Sequence, residues 1–290
     1  MNQYLVRKII GDSYKYKRIY DFLSDDNIEK GEKKLEKNFK KIVGDWGKER
    51  NSEWVVRNYL AVKMIMSSTL MLTSLQFGIK RNIKITEPYL IYYSLLNIAR
   101  SVVFTNPNIE WREGGIMTLS HSKIIKIAGE SIIQFSSEVG SKILDIFIRA
   151  KENREIFSYK FPAEAAFDLG ISIEDTIEIC GFLAEIAQFQ SEILEKVNAQ
   201  NTDNSESKLV DSILNKGFIY SGKTFELFDN DDAYRLDYIR RKQPFPVSLH
   251  LTLTEGMIED FFGAWYDSEN SDKEGYYDPD ENWNLIFNMT

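Results

Sequence analysis

Residues Ser52–Phe104 read SEWVVRNYLAVKMIMSSTLMLTSLQFGIKRNIKITEPYLIYYSLLNIARSVVF, and two long helices can be read straight from them. From Glu53 to about Ile79 the run holds no proline, is rich in Leu and Met, starts after Ser52 as a cap, and ends at Gly78 and the polar Lys80-Arg81-Asn82. The second helix begins near Thr86-Glu87-Pro88, where proline is tolerated in a first turn, and runs through Tyr92, Tyr93, Leu95, Leu96, Ile98 and Ala99 to Phe104. Asn106-Pro107-Asn108 stops it. A link this short predicts a hairpin of two antiparallel helices.

Reading outward, Pro107–Leu119 contains Gly114-Gly115 and no helical period, which predicts a loop. A third helix is expected over about Ser120–Phe135, with Ser120 as its cap and Ile124, Ile125, Ile127, Ala128 and Ile132 on its apolar side. Ser141–Phe161 alternates in pieces and reads as a short β-hairpin around Lys151-Glu152-Asn153. Ser172–Asn198 is the clearest helix, its stripe of Ile173, Ile177, Cys180, Leu183, Ala184 and Ala187 placing the thiol in the core. Upstream, the Lys- and Glu-rich Asp26–Lys41 spaces Leu35, Phe39 and Ile42 or Val43 as an amphipathic surface helix. Glu29, Glu32 and Glu36 between its lysines make a solvated face.

Ala199–Ser207 carries no hydrophobic period and reads as a linker. The expected organisation is therefore an extension (1–51), a helical bundle (52–198), the linker (199–207) and a smaller mixed α/β module (208–290). The module should hold a short helix near Lys208–Asn215, a hairpin from Phe218–Tyr220 to Phe225–Phe228 and a helix at Ala233–Arg241. A strand at Val247–Leu253, with His250 on its outer face, and a helix from Thr254 to Tyr266 complete it.

Across 290 residues, 36 Lys+Arg face 44 Asp+Glu, a net charge of −8, so the surface as a whole repels a phosphate backbone, which argues against a general nucleic-acid coat protein but leaves room for a local basic patch. Between Glu255 and Glu281 ten acidic residues meet only Lys273. A lone cysteine and two histidines leave no disulfide, no cysteine-rich zinc site and no histidine cluster, so no metal or cofactor is expected and a reducing, cytoplasmic setting is the natural reading. No apolar run approaches a membrane span, and no membrane partner is expected.

Two motifs match by letters alone. Gly217–Thr224 spells a phosphate-binding loop, but Thr224–Phe228 at its end is strand-like where the chemistry needs a helix. Asp278-Pro279-Asp280-Glu281-Asn282 alternates oxygen ligands, with Trp283 where a calcium loop needs glycine. The better candidate is His121, at the start of the third helix where amide donors converge, with Arg112 upstream in the loop and Arg100 near the end of the second helix. A histidine beside arginines is the minimum equipment for metal-independent phosphodiester cleavage.

Tyr92-Tyr93-Ser94-Leu95-Leu96-Asn97-Ile98-Ala99-Arg100, then Ser120-His121-Ser122-Lys123 and Ala128-Gly129-Glu130, resemble the HEPN superfamily of small prokaryotic helical domains. The likeness is to the type paired with minimal nucleotidyltransferases and covers about 52–198. There is some likeness to YaaC-type proteins as well. The resemblance implies a mainly α, antiparallel helical bundle and a role in a prokaryotic defence or toxin–antitoxin-type system. It also implies RNA or a partner protein as ligand, a homodimer formed through the bundle, and RNA cleavage with His121 as acid–base residue and Arg100 or Arg112 as phosphate clamp. Nuclease members carry the arginine and histidine a few residues apart on one helix; here eight residues, Gly114-Gly115 among them, separate Arg112 from His121. The rival reading is a non-enzymatic scaffold or inhibitor whose acidic C-terminal face docks on a basic partner.

Overall fold

The computed structural model describes residues 13–163, 169–201, 218–220, 223–225, 230–242, 245–266 and 275–288. Within them the protein is mainly helical. The helices are α1 (Arg18–Phe22), α2 (Asp25–Val43), α3 (Lys48–Lys80), α4 (Glu87–Thr105), α5 (His121–Ile133), α6 (Ser137–Tyr159), α7 (Ile173–Asn201), α8 (Asn230–Lys242), α9 (Leu249–Thr252) and α10 (Glu255–Gly263). Short 3-10 turns cover Arg112–Thr118 and Pro279–Asn282. The expected helix at Lys208–Asn215 and linker residues 202–207 lie outside the described residues.

α3 and α4 form the expected antiparallel hairpin: Ser68 Oγ donates to the Ser94 carbonyl at 3.0 Å, while Arg57 near the start of α3 reaches Phe104 at the end of α4. α3 is long and apolar enough by length and composition to cross a membrane, yet its residues from Asn51 to Val62 are all buried in the protein, against α4, α7 and the C-terminal elements. One apolar cluster runs from Leu35 and Phe39 of α2 through Trp54, Tyr92, Phe147 and Phe182 to Leu236 and Phe262.

The connection after α4 departs from a simple up-and-down bundle. Tyr92 meets His121 at the start of α5, and Asn106 Nδ2 donates to Ser131 Oγ near its end. α5 therefore runs alongside α4 in the same direction, because residues 106–120 carry the chain back along the length of α4. Arg57 fixes the start of that return. Its Nε donates to the Phe104 carbonyl at 2.6 Å, Nη2 to Asn106 at 2.8 Å, and Nη1 to Ile109 at 2.9 Å and to Glu53 at 3.0 Å, with the guanidinium 3.9 Å from the Trp54 ring centroid. A cation bonded to the last carbonyls of a helix satisfies groups that have no intrahelical partner and complements the dipole. Burial lowers the Arg57 pKa to about 10, with Glu53 acting the other way, so it stays charged at neutral pH.

Two expected β segments are helical. α6 continues through Lys151-Glu152-Asn153, because Gly140, Ile143, Phe147, Ala150 and Asn153 repeat every three or four residues and bury one helix face. The apparent alternation came from exposed residues such as Ile148. The segment 247–253 is not a strand but the short α9, with Leu253 as its C-cap. Its entering amides are bonded to side chains of α7: Ser248 N–H to Glu195 at 2.9 Å, Leu249 N–H to Ser191 at 3.0 Å and His250 N–H to Gln188 at 3.0 Å. A polar stripe on one helix takes the place of a sheet partner. His250 is correspondingly not idle on an outer face, since its Nδ1 lies 2.7 Å from Gln188 Nε2 and 3.2 Å from Ser248 Oγ. The expected hairpin pairs Phe218 with Phe225 and Tyr220 with Lys223, so Lys223 and Thr224 lie in a strand and not at a helix N-terminus.

Helices α5 and α6 pack antiparallel, and a Cβ at Gly140 would lie 2.9 Å from the Ile133 amide nitrogen. Gly31 on α2 lies directly under the Phe135 ring. Gly31→Ala should lower stability by about 1 kcal/mol, because displacing a packed ring costs roughly 1–3 kcal/mol and the gain in helix propensity returns only part of it. Chemical denaturation measures this; an unchanged or raised midpoint contradicts the packing.

Candidate functional site

Three helices bring the site together. α4 packs on α5 and α6 and supplies Tyr92, Tyr93 and, two turns on, Arg100; α5 begins with His121; α6 supplies Lys151 and Arg154. Ser120 stands at the N-cap position of α5, but its side chain makes no capping bond. The amides of His121 and Ser122 lie ahead of the first helical hydrogen bonds, which run from Lys123 and Ile124 back to the Ser120 carbonyl.

His121 Nδ1 and the Tyr92 hydroxyl share a hydrogen bond of 2.9 Å. The Tyr92 and Tyr93 rings flank the imidazole at centroid distances of 5.9 and 6.2 Å, the second edge-on. Tyr92 is fully buried, so the imidazole is hinged on a rigid phenol. The Arg154 guanidinium lies 5.0 Å from the Tyr92 ring centroid. Arg100 Nη1 donates to Asn97 Oδ1 at 3.0 Å, and Asn97 Nδ2 donates to Ser67 Oγ at 2.9 Å, which fixes the guanidinium to the α3–α4 hairpin. Lys151 Nζ donates to Ser122 Oγ at 3.3 Å. Among the described residues the Nε groups of both Arg100 and Arg154 are buried without a hydrogen-bond acceptor, a costly state for a cationic donor.

Burial, then the charges of Arg100, Arg154 and Lys151, lower the His121 pKa below its usual value, so the ring is neutral at pH 7. Folding then disfavours protonation here, and this site's contribution to stability is present above the unfolded pKa of about 6.5 and lost as pH falls from there through the lower folded value. Arg154→Gln should raise the His121 titration midpoint. With only two histidines in the chain, NMR reads both midpoints directly, and an unmoved His121 midpoint contradicts the electrostatic link.

Of the sequence candidates, the fold places Arg100 in the field of His121. Arg112 has a side chain 71% exposed, pairs with Glu110 at 3.0 Å, and is not among the charges acting on the imidazole. Its φ of 49° and that of 86° at Gly114 turn the chain there. Sequence reasoning missed Arg154 and Lys151, because it read their segment as a hairpin. Cys180 is buried and its thiol is pushed up to about 12 by burial, which removes it as a nucleophile. Among the described residues no group of three or more His, Cys, Asp or Glu is arranged to hold a metal ion. No family model, curated protein or solved structure matches the chain.

Proposed function

We propose that the chain is a HEPN-like RNA-binding component of a prokaryotic defence or toxin–antitoxin-type system, acting as a homodimer through its helical bundle and cleaving RNA without metal. The observation that carries this reading is the convergence of three cations, Arg100, Lys151 and Arg154, on one half-buried imidazole whose Nδ1 is held by Tyr92. Such a cluster stabilises the negative charge that develops on a phosphodiester in the transition state. With Nδ1–H donated to the Tyr92 oxygen, the Nε2 lone pair of His121 takes the proton of a ribose hydroxyl as that oxygen attacks the adjacent phosphorus. The bond to the departing ribose oxygen breaks, and the proton returns to that oxygen. Arg100 and Arg154 hold the phosphate oxygens.

The test incubates the protein and its His121→Ala variant with labelled RNA in excess chelator. Cleavage by the parent alone supports the reading, and inert behaviour of both removes the catalytic part. The scaffold reading keeps one observation of its own. Glu255, Glu259 and Asp280 line an acidic pocket beside Trp283, and burial and the neighbouring Asp278 and Glu259 raise the Asp280 pKa, which marks a crowded negative surface suited to a basic partner.

A further inference from the structure

Beside the His121 cluster, between α5 and α6, lies a pocket of about 320 Å³. Ile125, Leu144 and Ile148 form its apolar wall, and Ser122, Lys126, Lys151, Glu152 and Glu155 its polar rim. Ile148 is 50% exposed on that wall, so an apolar surface open to solvent sits next to a charged rim. That pairing suits a flat group with an apolar face and a hydrogen-bonding edge better than it suits a bare ion. Lys151 joins the pocket to the cluster: its ammonium donates to Ser122, the residue after His121, and lies 3.8 Å from Glu155. Arg154 follows it by three residues, about 4.5 Å along the helix axis. Residues three apart share a helix face, so the pocket mouth and the cluster adjoin on α6, and a base in the pocket carries its own phosphate to the cluster.

We propose that this pocket receives the base of the nucleotide whose phosphate lies on the His121 cluster, and that Glu152 selects guanine. The inference rests on the phosphodiester reading of that cluster. An unstacked base lays its face on apolar side chains and offers its Watson–Crick edge for reading. Glu152 makes no ion pair among the described residues, whereas Glu155 is engaged by Lys151. A carboxylate only accepts, and guanine alone among the four bases places an imino and an amino donor side by side, matching its two oxygens; the Lys151 ammonium then faces the guanine carbonyl.

Calorimetric titration of the full chain at low salt separates the two claims, using ribose phosphate and the four nucleoside monophosphates as probes. Guanosine monophosphate should bind about tenfold more tightly than uridine monophosphate or ribose phosphate, the value of one good base contact. Glu152→Gln, an exposed and isosteric change, should bring it to within about twofold of uridine monophosphate while leaving ribose phosphate unaffected. Equal affinity for all five probes, lost together in Arg154→Gln, overturns the base pocket and leaves the phosphate site standing. A preference for another base overturns the assignment to guanine. No binding of any probe overturns both the pocket and the reading beneath it.

Discussion

Arg57→Ala is expected to lower the stability of the fold by about 3–5 kcal/mol, the range for removing one partner of a buried ion pair. The buried carbonyls of Phe104 and Asn106 and the half-buried one of Ile109 lose this donor at once, and Glu53 is left with Arg50 alone at 3.6 Å. Arg57→Lys should recover only a part, because a single ammonium cannot present the planar fork that reaches Phe104, Asn106 and Ile109 together. Urea titration followed by circular dichroism reads the loss, and a change under 1 kcal/mol refutes the assigned role. The variant also bears on function, since Arg57 anchors the return segment that delivers His121 to Tyr92. A partly destabilised protein should lose the depressed His121 titration before it loses its helices.

Neutralising the two arginines of the site gives the other large effect. Arg154→Gln or Arg100→Gln should each weaken RNA binding by roughly 10- to 100-fold, the value of about 1.5–3 kcal/mol for a hydrogen bond to a charged group. Each should also reduce the slope of log affinity against log salt by just under one, as expected when one phosphate contact is lost. Arg112→Ala, on an exposed side chain already paired with Glu110, should leave both quantities unchanged. Filter binding across a salt series checks all three variants. Equal losses for Arg112 and Arg154 would move the phosphate contact away from the cluster.

The helices that carry the core were legible because their apolar residues recur at helical spacing and their ends carry recognisable stops: α3 after Gly78, α4 before Pro107, and α7 along its Ile173–Ala187 stripe. Where the signal depended on a partner, reading failed. The alternation of Val247, Leu249, Leu251 and Leu253 fits a strand only if another strand supplies its hydrogen bonds, and here Gln188, Ser191 and Glu195 of α7 supply them to a helical turn. Likewise α6 shows its buried face of Gly140, Ile143, Phe147, Ala150 and Asn153 only when α4 and α5 lie against it.

Local sequence determined the long core helices α3, α4 and α7 and placed His121 at the start of α5, since these follow from side-chain spacing and terminal residues within a few turns. Only the tertiary structure decided that α5 lies parallel to α4, that Tyr92 is the partner of His121, and that Arg154, thirty-three residues further along, joins the cluster while Arg112 stays outside it. The reason is that the return of residues 106–120 is set by Arg57 binding carbonyls some fifty residues away, an interaction with no period and no local signature.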